Sequence, residues 1–237
     1  MHYGTSWRVI LDTAQEAPVN MAVDEAIARV LSGSDKEPVP TLRIYQWSAN
    51  SLSIGYFQEV ARVVSALKLK DPAKNYHIVR RPTGGSAVIH DRDLSFALIL
   101  KGDRPDIIAL YSLLGRCVTE ALRQLGVSAE LCNGSGQNPN NHSSLCISRH
   151  CPHDVVHQGR KVAGYAARRL RGVTLVQGYV TLVDGLSTQG LSDAIIDAFK
   201  DVAGATLLDG TLTDEEKALA VGLREEKYTR REWNCKR

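Results

Sequence analysis

Residues 76–100, YHIVRRPTGGSAVIHDRDLSFALIL, carry two short runs rich in β-branched and aromatic residues, YHIVRR and LSFALIL, on either side of a glycine pair and a briefer apolar run, AVI. Runs of this length, bounded by Gly, Pro and charged residues, read as strands. Two more precede them, TLRIYQW at 41–47 and SLSIGYF at 51–57, so the chain reads as sheet from 42 to 100. Within the quoted stretch, Gly84 and Gly85 let backbone N–H groups approach a ligand closely, and Arg80 or Arg81 suits a carboxylate or a phosphate. A glycine pair also punctuates any hairpin, so the stretch alone does not separate a turn from a site. The P-loop pattern, a glycine-rich run closed by Lys and then Ser or Thr, is absent.

Helices flank these strands. Asn20 is a suitable N-cap for MAVDEAIARVL, which spaces Ala22, Val23, Ala26, Ile27, Val30 and Leu31 helically and sets Asp24, Glu25 and Arg29 on the other side. PDIIALYSLLGRCVTEALRQLG, from 105 to 126, repeats Ile107, Tyr111, Leu114, Val118, Ala121 and Leu125 every three or four residues and stops at Gly126. NGSGQNPNNHSS at 133–144 has no apolar residue and reads as an exposed, mobile loop. DVVHQGRKVAGYA reads as a hairpin turning at Gln158 and Gly159, and VTLVQGYVTLV as a further strand. SDAIIDAFKDVA and LTDEEKALAVGLREEKY close the chain as helices, the second opened by a capping box of Thr213 and Glu216. Strands that come in runs rather than alternating strictly with helices give an α+β fold with a mixed or antiparallel sheet.

Composition narrows the function. A chain of 237 residues, 43% hydrophobic, can bury one full core, and nothing in it separates two large domains; one domain over 1–237 is expected. The formal charge of +3, from 29 basic and 26 acidic residues, argues for neither nucleic acid nor an anionic membrane. No apolar stretch is long enough to span a bilayer and the N-terminus has no signal-peptide core, so a soluble protein without a targeting segment is expected. Five cysteines, an odd number, make no disulfide framework and suit a reducing cytoplasm. His142, Cys146, His150, Cys151, His153 and His157 lie close in sequence, but their spacings match no compact zinc pattern, and no metal is expected.

Two further residues could carry chemistry. Lys161, in the strand GRKVAGYA, has small neighbours, Gly164 and Ala166, that leave room for a ligand beside it, though most lysines are simply solvated. Cys146, after the polar loop, becomes a nucleophile if Lys161, Arg149 or a histidine lowers its thiol pKa; otherwise it is a buried, inert cysteine. The basic runs ARRLRG at 167–172 and KYTRREWNCKR at the end read as solvated faces or as a docking surface for an acidic partner.

Taken together, NMAVDEA, LRIYQWSANSLSIGYFQ, VRRPTGGSAVIHD, GRKVAGYAARRLRGVTLVQGYV and LTDEEKALAVGLREEKYTRREWN resemble, nearly end to end, the superfamily of lipoate-protein ligases and octanoyltransferases, to which biotin-protein ligases are more remotely related. The resemblance implies a biotin/lipoate-ligase catalytic fold without a C-terminal accessory domain. It implies a tunnel for an eight-carbon acyl chain and transfer of that chain to a lysine of a lipoyl-carrier domain. It also implies substrate contacts at Arg81, Thr83, Gly84, Gly85, Ser86, Ala87, Val88, Ile89, His90, Gly164 and Ala166.

Two branches share that pocket. GYFQ, HDRDLSF and the interval of 161 − 146 = 15 residues between Cys146 and Lys161 are similar to the cysteine-dependent octanoyltransferases, which need no cofactor and take the acyl group from a donor such as acyl carrier protein. Ser86, where those enzymes commonly carry Arg, and HDVV before Lys161 are closer to the ligases, which use ATP and Mg to form an acyl-adenylate. A non-catalytic acyl-binding protein is the third reading, and the retained Lys161 speaks against it.

Overall fold

The computed structural model describes residues 6–35, 39–70, 76–102, 105–132 and 151–236, with only the backbone at 68–70. Its elements are β1 (Ser6–Leu11), α1 (Ala17–Gly33), β2 (Thr41–Tyr45), β3 (Ser51–Ile54), α2 (Val60–Lys70), β4 (His77–Arg80), β5 (Val88–His90), β6 (Asp93–Lys101), α3 (Ile107–Gln124), β7 (Glu130–Leu131), β8 (Val155–His157), β9 (Arg160–Leu170), β10 (Val173–Thr181), α4 (Thr188–Ala203), β11 (Thr206–Asp209), α5 (Asp214–Leu223) and α6 (Arg231–Asn234). A π-helical turn, Arg224–Tyr228, joins the last two.

The large sheet runs in the order β11-β1-β2-β6-β10-β9-β8-β7. Its first three strands are mutually parallel and all later neighbours antiparallel. A small sheet, β4-β3-β5, pairs parallel and then antiparallel. The fold is therefore α+β with a mixed sheet. LSFALIL is apolar at every position but Ser95 because both faces of β6 are covered. Phe96 and Leu98 join the core under α3 and α4, while Ala97 and Ile99 join the core under α1.

Several expectations are corrected. Residues 42–100, expected to be sheet throughout, are interrupted by α2, and a strand that the sequence did not show, β1, precedes α1. Val60, Val63, Val64 and Leu67 do lie at helical spacing, but β-branched valines mask a short helical period. Asn20 is not the N-cap: α1 starts at Ala17, with Pro18 supplying the preset φ of a first turn. On the opposite face of α1 Arg29 is exposed, but Asp24 and Glu25 are not, at 0% and 4%. The capping box at Thr213 and Glu216 forms, and the β8–β9 hairpin turns at Gln158 and Gly159, both with positive φ. The polar run at 133–144 lies outside the described residues.

Charge networks replace solvent on that face of α1. Arg43, fully buried on β2, donates to Asp24 Oδ1 at 2.7 Å, Asp12 Oδ2 at 2.6 Å and Asn20 Oδ1 at 2.9 Å. Burial pushes the Asp24 carboxyl above its ordinary range, against the pull of Arg43, Gln177 and Tyr45. Glu25 goes the other way: burial alone would raise it, but Lys227 at 2.5 Å and the Tyr228 hydroxyl hold it below the usual range. A depressed carboxylate stabilises the fold above its unfolded pKa and loses that contribution as pH falls through the folded one. Glu25→Gln should therefore cost about 1–3 kcal/mol near neutrality, a fall of a few degrees in Tm. Thermal unfolding from pH 7 down to pH 3 should show the gap to wild type closing toward acid; a constant gap contradicts the role given to the charge.

Candidate active site

β8 and β9 lose register between Val155, which faces Ala163, and Val156, which faces Lys161, so Val162 is an extra residue on β9. A bulge of this kind re-aims a side chain. Lys161 and Gly164, three residues apart, would point to opposite sides of a regular strand. Here a Cβ on Gly164 would sit 2.5 Å from Lys161 Cε, 2.7 Å from its Nζ and 3.2 Å from Asp154 Oδ1. The lysine thus lies across the bare backbone of Gly164, and its ammonium meets Asp154 Oδ2 at 2.7 Å. Both side chains are buried. The Cys151 N–H donates to the same carboxylate at 2.6 Å, fixing its orientation.

Gly164 also belongs to the wall of a cavity lined largely by apolar and aromatic side chains with a few polar groups among them, the composition of a small-ligand site. Strand register builds its floor. Tyr45, Ser95, Tyr179 and Gly164 pair in one row across β2, β6, β10 and β9, and Gln177 and Ala166 of the next such row join them in the lining. From Gly164 to Ser95 is two strand spacings, about 10 Å. Met21 of α1 and Ser53, Arg81, Gly85, Val88 and His90 of the small sheet and its loop complete the enclosure.

The far end is held by a chain of polar contacts. His90 stacks on Trp47 with centroids 4.0 Å apart, and its two ring nitrogens meet Ser53 Oγ and Asp93 Oδ2, each at 2.8 Å. Ser95 Oγ donates to the same Asp93 oxygen at 3.0 Å and accepts from Trp47 Nε1 at 2.9 Å. Both ring nitrogens of His90, the Ser95 hydroxyl and the Trp47 N–H are thereby matched, as buried polar groups require.

The loop 81–87 is drawn inward by Arg81, which donates to the Gly84 and Ser86 carbonyls at 2.5 and 2.8 Å and to the Ser53 carbonyl at 3.2 Å. In a trans peptide the N–H points away from the carbonyl. The Gly85 and Ala87 N–H groups therefore point away from Arg81. Gly85 has φ +82°, and a Cβ on it would lie 2.9 Å from Arg81 Nη2. Gly55 is just as constrained, since its Cβ would overlap the Gly85 carbonyl.

Of the residues singled out in the sequence, Arg81, Gly85, Val88, His90, Gly164 and Ala166 line the cavity. Lys161 stands behind Gly164, and Thr83 beneath the loop donates to Gln177 Oε1 at 2.7 Å. Gly84 and Ser86 contribute loop carbonyls to Arg81. Ala87 and Ile89 do not reach the cavity: strand alternation turns them to the small core with Leu52, Ile54, Val63 and Leu67. Cys146 lies outside the described residues, as do His142, Arg149 and His150. Among the described residues no group of three or more His, Cys, Asp or Glu could hold a metal ion. Asp154, Trp47, Ser53, Ser95 and Gln177 are the residues that sequence reasoning missed. Tyr45 and Trp47, two apart in RIYQW, carried the one legible signal, a shared strand face.

Comparison with known proteins agrees with this geometry. Residues 16–202 match the model of the lipoyl protein ligase A/B catalytic domain. The chain belongs to this family. An octanoyltransferase LipM of Brevibacillus brevis is 31% identical, covering 98% of this chain and 99% of the relative. A lipoate protein ligase structure from T. acidophilum with bound lipoic acid superposes with a TM-score of 0.79 at 25% identity, covering 98% of this chain and 99% of that one. A lipoate-protein ligase A bound with ATP gives the same TM-score and identity over 97% of this chain and 98% of its own. Within the lipoyl ligase A/B fold, the pair Lys161–Asp154 and the cavity beside it form the candidate active site. Among the described residues no helix is long and apolar enough to cross a membrane.

Gly164→Ala tests this geometry, because the added methyl meets the flexible end of Lys161 rather than backbone. The fold should survive with Tm within a few degrees of wild type, while acyl transfer falls by about 10²-fold through displacement of the ammonium. Unchanged activity in a well-folded Gly164→Ala protein would separate Lys161 from the chemistry.

Proposed function

We propose that the protein catalyses protein lipoylation by moving an octanoyl group from a thioester donor, such as acyl carrier protein, to a lysine of a lipoyl-carrier domain. The observation that carries this reading is the buried Lys161–Asp154 pair at one edge of a largely apolar cavity, in a chain that aligns along its length with octanoyltransferases.

The acyl chain lies along the row from Gly164 to Ser95, its carbonyl beside Lys161. The Cys146 thiolate attacks that carbonyl, an enzyme thioester forms, and the donor thiol leaves with a proton. The amine of the carrier lysine then attacks the thioester, giving an amide, returning the Cys146 thiolate and releasing to solvent one proton, which balances the proton that the donor thiol took from solvent. The Lys161 ammonium stabilises the thiolate and the oxyanion that appears in each step. Asp154 keeps the ammonium in place. The free thiols at Cys117, Cys132 and Cys235 suit a reducing compartment, the cytoplasm in this reading. Burial raises the Cys117 thiol to about 12, so it does not compete as a nucleophile at neutral pH.

The likeness to the ATP-bound ligase supports a second reading, in which ATP and Mg activate a free acid and Lys161 contacts the resulting acyl-adenylate. Arg81 fits a triphosphate poorly, since its guanidinium is already bonded to the Ser53, Gly84 and Ser86 carbonyls. Incubating the protein with a carrier domain and either octanoyl-acyl carrier protein or free octanoate plus ATP, and following carrier mass, separates the two. The proposal expects ATP-independent modification from the thioester donor, lost by at least about 10³-fold in Cys146→Ala and Lys161→Ala. Modification that requires ATP and survives Cys146→Ala establishes the ligase instead.

A further inference from the structure

The sequence puts its expected anion at Arg80 or Arg81, but the fold engages both internally. Arg80 is fully buried and donates to the carbonyls of Gly55, Tyr56, Gln58, Trp233 and Asn234 at 2.8–3.2 Å. Positive charge reaches the surface of the same loop from elsewhere. Arg168 Nη1 donates to the Pro82 carbonyl at 2.9 Å, and its Cζ lies 4.3 Å from the Tyr56 ring centroid. Lys236 Nζ lies 3.9 Å from that centroid and 3.8 Å from that of Trp233. The ring they share is seated on the loop, for the Tyr56 N–H donates to the Thr83 carbonyl at 2.9 Å and the preceding Gly55 packs on Gly85.

Among the described residues neither Arg168 nor Lys236 pairs with a carboxylate. Lys227, 3.9 Å from the Trp233 centroid, differs in being bound to Glu25 at 2.5 Å. A hydrogen bond from Lys236, then its charge and those of Arg168, hold the Tyr56 hydroxyl below the ordinary tyrosine range, so the local field favours an anion. A guanidinium fork, an ammonium and a phenol hydroxyl converge on the outside of the loop whose Arg81 and Gly85 line the cavity, a set suited to phosphate oxygens.

We propose that Arg168 and Lys236, with Tyr56, bind the phosphate ester of the acyl donor and so steer the activated acyl group into the cavity. The assignment deepens the proposed function and rests on it. The shared chemistry is a phosphate ester; its source is the phosphodiester of a pantetheine arm for the thioester route, or a nucleotide polyphosphate for the adenylate route.

Calorimetric titration of the full chain with 4′-phosphopantetheine, with pantetheine and with ATP tests the site directly. The phosphorylated arm should bind at least about tenfold tighter than pantetheine, a difference of about 1.4 kcal/mol, and that preference should vanish in Arg168→Gln/Lys236→Gln. With octanoyl thioesters of the same two compounds as donors, the double variant should raise KM about tenfold for the phosphorylated donor alone and leave kcat and the pantetheine donor unchanged. Phosphate preference seen only with ATP, and lost in the double variant, supports the site and assigns it to the nucleotide. No phosphate preference in the wild type, or a preference that the double variant retains, overturns it. Should the double variant unfold, Lys236→Gln alone serves, since Lys236 is exposed. Phosphate-selective binding without acylation of any carrier would retain the anion site while rejecting the proposed function.

Discussion

The fully buried pair of Arg43 and Asp24, joined at 2.7 Å, is the constraint around which the site is arranged. A lone buried charge is unaffordable, and removing one member of such a pair costs about 3–5 kcal/mol. The remaining oxygen and nitrogen atoms must therefore find partners, and those partners define the architecture. Asp24 Oδ2 accepts from Gln177 Nε2 at 2.7 Å, and Gln177 Oε1 in turn accepts from Thr83. One continuous chain of contacts thus ties α1, β2 and β10 to the loop that roofs the cavity. α1 contributes Met21 to the cavity wall because its neighbours Asn20 and Asp24 are held by Arg43.

The adjacent arginines of the loop follow the same logic of satisfying buried carbonyls. Arg80 gathers the 55–58 turn and the C-terminal residues Trp233 and Asn234, while Arg81 gathers the glycine loop and β3. Glycines at 55 and 85 permit the close backbone approach this requires. The loop is thereby tied down from several sides, and its surface charge is left to residues distant in sequence. The lysine side of the site uses a different device, a bulge at Val162 that turns Lys161 over Gly164 onto Asp154.

Much of this was legible in the residues. Strands β2, β3, β6 and β10 show as β-branched and aromatic runs, α3 as a strong helical period, and the capping box at Thr213 as a local motif. What the sequence hides depends on contacts between distant segments. Asn20 looks like a cap until Arg43 claims its side chain. Asp24 and Glu25 look solvated until Gln177 and Tyr228 cover them. The glycine pair suggested a site, but not that Arg80 and Arg81 would spend their donors on carbonyls, because only the fold reveals which carbonyls need them. Ala87 and Ile89 were drawn into the site by adjacency, whereas β5 alternation separates them from Val88 and His90. A bulge leaves no periodic trace, so Asp154 could not be paired with Lys161 from spacing alone.

The orientation of the acyl chain is the central claim, since it fixes which groups meet the carbonyl and which meet the tail. A crystal structure of the full chain with octanoate tests it most directly. The carboxylate should lie within hydrogen-bonding distance of Lys161 Nζ, with the tail against the stacked Trp47 and His90. A chain bound in reverse, its carboxylate at Ser53 and His90, or octanoate bound outside the cavity, would contradict the account.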